Sequence, residues 1–127
     1  MANELILIVD DNVRNRKLIR DTLQVKRYQT IEAKTGEDGV RLARELHPDL
    51  ILMDIQLPGI NGITAFRQIR ADPATSTIPV IAVSASAMAE DGRKILAAGF
   101  DGFQGKPLSM QELLQTIQHA LKRSAAK

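Results

Sequence analysis

Three uninterrupted aliphatic runs, Leu5-Ile6-Leu7-Ile8-Val9, Leu50-Ile51-Leu52-Met53 and Val80-Ile81-Ala82-Val83, recur along the chain, each about as long as one β-strand. None of them alternates apolar with polar residues. Continuous runs of this kind belong to strands covered on both faces, the condition of a parallel sheet flanked by helices. Two weaker stretches extend the set: Tyr28 to Ala33, with β-prone Tyr, Thr and Ile, and Gly102 to Gln104 around Phe103.

Helical signals fill the intervals. Asn12 to Lys26 reads as a first helix, although no glycine follows it. Thr35 is placed to cap a second helix through Glu45, which must end before Pro48. Ile63 to Ala71 ends ahead of Asp72-Pro73, and the Ala-rich stretch Met88 to Ala98 runs into Gly99. Ser109 with Glu112 forms a capping box that opens a last helix to about Arg123. The order is strand then helix, five times over, with short connections, so the expectation is an α/β sheet with right-handed crossovers.

At 127 residues the chain is expected to form one domain, residues 1–127, with its core over about 4–123. A hydrophobic share of 44% and a charged share of 25% rule against a disordered or fibrous chain. No cysteine is present, so neither disulfides nor thiolate metal sites are available, and a reducing cytoplasm fits. No segment approaches the roughly 20 apolar residues needed to cross a bilayer. A net charge of +2 is too small to argue for nucleic acid. One local concentration is basic: Arg14, Arg16, Lys17, Arg20, Lys26 and Arg27 fall close together, opposed nearby in sequence only by Asp21.

In open α/β sheets, functional groups collect beyond the carboxyl ends of the strands. There the first run is followed by Asp10-Asp11, the third strand by Asp54, the fourth by Ser84 and the fifth by Gln104-Gly105-Lys106-Pro107. A single aspartate after a strand is commonly a turn former or helix cap, a role open to Asp11 or Asn12. Three carboxylates on one sheet edge are a different matter. They repel unless a cation sits among them, and hard oxygen ligands favour Mg²⁺.

Val9-Asp10-Asp11-Asn12, Leu52 to Gly59 with Asn61-Gly62, Ser84-Ala85 and Lys106-Pro107, in this order and spacing, resemble the receiver domains of response regulators in two-component signalling, of the chemotaxis-regulator or cell-division-regulator kind. The resemblance runs through essentially the whole chain. It implies a flavodoxin-like, doubly wound, five-stranded parallel sheet of order 2-1-3-4-5 with five helices. It implies that Asp54 accepts a phosphoryl group from a histidine kinase or histidine phosphotransfer protein. Mg²⁺ would be held by Asp11, Asp54 and the backbone carbonyl of Gln56, with Asp10 in support. Lys106, aimed by a cis bond to Pro107, would supply a second cation. Ser84 would be the hydroxyl switch and Phe103 the switch aromatic, although a ring on a short strand is also expected simply to pack in the core.

Two alternatives accompany this reading. The same module could be cut from a hybrid kinase or multidomain regulator, which a start at Met1 argues against. A small Mg²⁺-dependent phosphatase would also use three aspartates, but needs a substrate pocket or cap, and the short connections offer no insertion for one. A flavin site is disfavoured because Asp10-Asp11-Asn12 offers a phosphate no glycine- or hydroxyl-rich cradle.

Overall fold

The computed structural model describes residues 3–84, 93, 95–105 and 109–125. Five strands, β1 (Leu5–Val9), β2 (Gln29–Ala33), β3 (Leu50–Asp54), β4 (Val80–Ser84) and β5 (Gly102–Gly105), form one parallel sheet in the order β2-β1-β3-β4-β5. Four helices are described from end to end: α1 (Val13–Val25), α2 (Gly36–Leu46), α3 (Gly62–Ala71) and α4 (Met110–Ala125). Most of the helix expected over Met88 to Ala98 lies outside the described residues, which are helical at 93 and 95–97. Gly99 closes that stretch at φ 111°, a left-handed conformation that suits a residue without Cβ.

The sheet separates two cores. Leu7, Val9, Ile51, Met53 and Ala82 pack with Val40 and Ala43 of α2 and with Ala65, Phe66 and Ile69 of α3. On the other side Ile6, Ile8, Leu50, Leu52 and Ile81 meet Ile19 and Leu23 of α1 and Leu113, Ile117 and Ala120 of α4. Successive residues of one strand thus serve opposite cores, which is why the runs carry no polar alternation. Each fully buried aliphatic side chain contributes about 1.5–3 kcal/mol.

The helix starts follow local chemistry. Asn12, Thr35 and Asn61 are extended N-cap residues whose side-chain oxygens accept backbone N–H bonds from the first turns of α1, α2 and α3. The expected Ser109 cap is present as well, its Oγ accepting from Glu112 N at 3.4 Å.

The end of α1 shows how the chain turns without glycine. Tyr28 N donates to Leu23 O at 3.1 Å and Arg27 N to Gln24 O at 2.9 Å, the paired bonds of a Schellman turn. Arg27 occupies the position glycine usually takes, at φ 70°. A side chain there costs about 1–2 kcal/mol, partly offset because glycine loses more freedom on folding. Arg27→Gly is therefore expected to stabilise the protein by about 0.5–1 kcal/mol, read from urea unfolding midpoints. An unchanged or lowered midpoint would show that Arg27 makes compensating contacts.

Candidate functional site

The strand order reverses between β1 and β3, and the acidic residues gather at that point. Val9 pairs with Met53, so Asp10 and Asp54 leave neighbouring strands at the same level. Asp54 in turn pairs with Val83, and Ser84, one residue further along β4, pairs with Gly105 at the end of β5. Parallel register thus brings the ends of β1, β3, β4 and β5 to one edge. Asp10, Asp54 and Ser84 are each only 2% exposed, whereas Asp11 is exposed.

One carboxylate oxygen each from Asp10, Asp11 and Asp54 lies within 4.8 Å of the others. Two of the three side chains are fixed by their own loops. Asn12 N donates to Asp10 Oδ1 at 2.8 Å, and Gln56 N donates to Asp54 Oδ1 at 2.9 Å. Both are bonds to the backbone two residues on, typical of turns headed by aspartate, and both orient the carboxylate toward the common centre. The all-oxygen donor set, converging from two strand ends, fits a hard divalent cation such as Mg²⁺.

The loop after Asp54 is shaped by Asn61 and Gly62. Asn61 caps α3 through Thr64 N at 2.9 Å, and Gly62 N donates to Ile55 O at 2.9 Å. The α carbon of Gly62 is pressed against the backbone of the acidic strand: an added Cβ would fall 2.2 Å from Asp54 O and 2.7 Å from Ile55 Cα. Gln56 is exposed on this loop. Phe103, paired in register with Ala82, is half-buried against the core that contains Phe66 and Met53. Lys106 and Pro107, with Ala85 and Ser86, lie outside the described residues. Gly105, the partner of Ser84, is followed in sequence by Lys106.

The basic group on α1 needs correction. Arg16 is not exposed with the others. It is 6% exposed, and its guanidinium donates to the Asp10 carbonyl at 2.8 Å and to Glu32 on β2 at 3.2 Å. Arg20 also reaches Glu32, at 3.2 Å, as well as Asp21. The hydrogen bond to Glu32, then that to Asp21, holds the Arg20 guanidinium above its usual pKa. Asp21 is therefore not the only opposing charge; Glu32, remote in sequence, is the stronger partner. Arg14, Lys17, Lys26 and Arg27 remain exposed. Sequence spacing carried a signal of this, because Arg16, Ile19 and Leu23 repeat at three and four residues and share the buried face of α1.

Comparison with known proteins agrees with this arrangement. Residues 6–118 match the family described as response regulator receiver domain. The polar-differentiation response regulator DivK of Brucella ovis is 42% identical over 116 residues, covering 91% of this chain and 94% of that protein. Among solved structures, the receiver domain of the sensor histidine kinase PA1611 from Pseudomonas aeruginosa PAO1 superposes with a TM-score of 0.87 at 34% identity, covering 95% of this chain and 99% of that one. That structure has a magnesium ion coordinated in its active site cleft. The chemotaxis protein CheY4 of Vibrio cholerae gives a TM-score of 0.86 at 25% identity, with 94% and 99% coverage.

Proposed function

This chain belongs to the response regulator receiver family and is a phosphorylation-activated switch of two-component signalling, and we propose that Asp54 is its phosphoacceptor. The observation that carries this assignment is the convergence of Asp10, Asp11 and Asp54 within 4.8 Å, with Ser84 ending the adjacent strand. The donor is a phosphohistidine on a histidine kinase or histidine phosphotransfer protein. An Asp54 carboxylate oxygen forms a bond to phosphorus as the phosphorus–nitrogen bond breaks, and the electron pair stays with the imidazole. The product is an acyl phosphate, reactive enough to turn over, and the chain promotes both its formation and its loss without acting as an enzyme on other substrates.

Asp11, Asp54 and the carbonyl of Gln56 would hold Mg²⁺, with Asp10 in support, and the ion would offset the charge of the incoming phosphoryl group and align it. Lys106 follows β5 directly and supplies a second, compact positive charge. The Ser84 hydroxyl hydrogen-bonds a phosphoryl oxygen, and Phe103, half-buried on β5, changes its packing in response. The result is a bias between two arrangements of the surface around β5 and α4, which a partner protein reads. The module works as one cytoplasmic domain through protein contacts, without touching nucleic acid or membrane. Among the described residues no helix is long and apolar enough to span a bilayer.

Incubation with acetyl phosphate and Mg²⁺, followed by intact mass measurement, tests this reading. The expected result is a labile gain of one phosphoryl group that disappears when EDTA replaces the metal. Steady hydrolysis of the donor with no adduct would point to a phosphatase instead.

A further inference from the structure

We propose that Arg16 is a positioning residue for the acidic edge, fixing the peptide between Asp10 and Asp11, and that Glu32 holds Arg16 for this task. The inference rests on the metal-binding role assigned to these aspartates above. Asp10 is gripped on every side. Its N–H donates to Ala33 O at 3.1 Å, its Oδ1 accepts from Asn12 N at 2.8 Å, and its carbonyl accepts from Arg16 Nη1 at 2.8 Å. The first two bonds fix where Asp10 sits. The third fixes the plane of the peptide that leads into Asp11.

That plane matters because Asp11 is exposed, so the direction in which the main chain leaves Asp10 sets where its carboxylate arrives. Asp11 must still come within 4.8 Å of Asp10 and Asp54. Arg16 suits the task because its planar fork serves two acceptors at once, with Nη1 on the carbonyl and Nε on Glu32 Oε1 at 3.2 Å. Burial of this charge is costly unless it is paired, and Glu32 pairs it. Arg20 binds the other oxygen of Glu32 at 3.2 Å, so the carboxylate is held between two guanidiniums. In metalloproteins, partners of this outer rank commonly change metal affinity by about 10- to 100-fold.

Direct Mg²⁺ titration by calorimetry, with urea unfolding in EDTA on the same samples, tests the assignment. Arg16→Met is expected to weaken Mg²⁺ binding by about 10-fold. Arg16→Lys, which keeps the charge but cannot serve both acceptors, should recover only part of this loss. Glu32→Gln should give a smaller loss in the same direction. It also carries the test if Arg16→Met fails to fold. Arg20→Gln removes one of the two grips on Glu32 but leaves the Arg16 bonds to the Asp10 carbonyl and to Glu32, so any loss should be smaller than that of Glu32→Gln.

Folded Arg16 and Glu32 variants that bind Mg²⁺ as tightly as the wild type, whatever their unfolding midpoints, would overturn the proposal and reduce Arg16 to a structural ion pair. A loss in Arg20→Gln equal to that in Arg16→Met would overturn it as well: removing a positive charge by itself favours a bound cation, so such a loss would mark a general disturbance of this region and not the bond to the Asp10 carbonyl. If the wild type itself bound no Mg²⁺, the metal assignment would fall and this inference with it. Binding by the wild type with unaffected variants removes only the role of Arg16.

Discussion

Asp54→Ala is expected to lower phosphoryl incorporation from acetyl phosphate by at least about 10³-fold, as befits removal of a covalent nucleophile. The neighbouring carboxylates should not rescue it. Asp10 and Asp11 lie near enough to hold the same cation, but Asp54 alone of the three ends the central strand β3, opposite Val83 and one step from Ser84. Asp54→Asn provides the matching control, because its amide oxygen still accepts the Gln56 N–H bond that the carboxylate makes at 2.9 Å. It should fold normally by circular dichroism and stay unmodified by intact mass. Incorporation into a folded Asp54→Asn protein, mapped to Asp10 or Asp11, would displace Asp54 from its role.

A second large effect is expected from a residue with no functional group. Gly62→Ala places a methyl carbon 2.2 Å from Asp54 O, closer than any real contact, and the atoms it meets are backbone. No rotamer change relieves this. Either α3 moves off β3 or the strand end shifts, and both disturb the Asp54 carbonyl and the Gly62 N bond to Ile55 O. A loss of about 3 kcal/mol or more is expected in urea unfolding, together with slowed phosphorylation of whatever protein folds. Gly102→Ala is the comparison. There the added carbon meets a Thr116 methyl at 3.0 Å, a side-chain atom that needs to give by only a few tenths of an ångström. Its cost should stay near about 1 kcal/mol. Equal losses in the two variants would show that the backbone at Gly62 yields more readily than its geometry suggests.

The strands β1, β3 and β4 were legible because burial on both faces leaves an unbroken aliphatic signature, and Asp10, Asp11, Asp54 and Ser84 were legible because that signature stops at them. β5 was harder. Its four residues include glycine at both ends and none of them is fully buried, so only the ladder with β4 defines it. The cap at Asn61 was not anticipated, since asparagine serves turns and caps alike and only the helix beyond it decides. Arg16 was grouped by charge with its neighbours although its spacing with Ile19 and Leu23 placed it inward. Its partner Glu32 lies on β2, and no local pattern announces a pairing that only the fold creates. The tightness at Gly62 was invisible for the same reason: the atoms that forbid a Cβ come from Asp54 and Ile55, carried there by the return of the loop.

The strand that ends in Asp54 is gripped alternately from both sides, Leu50 and Leu52 in one core and Ile51 and Met53 in the other. In mechanical terms the charge proposed for Asp54 would be written on a member held from both faces. A strand so clamped has almost no compliance, because close-packed interiors resist deformation. In the role proposed for Asp54, the work done by a dianion at its tip is expected to appear beyond the strand ends and on β5, whose four residues are all only half-buried. On that reading, an anvil at the centre and a spring at the edge would let a chemical event of atomic size become a change of surface shape.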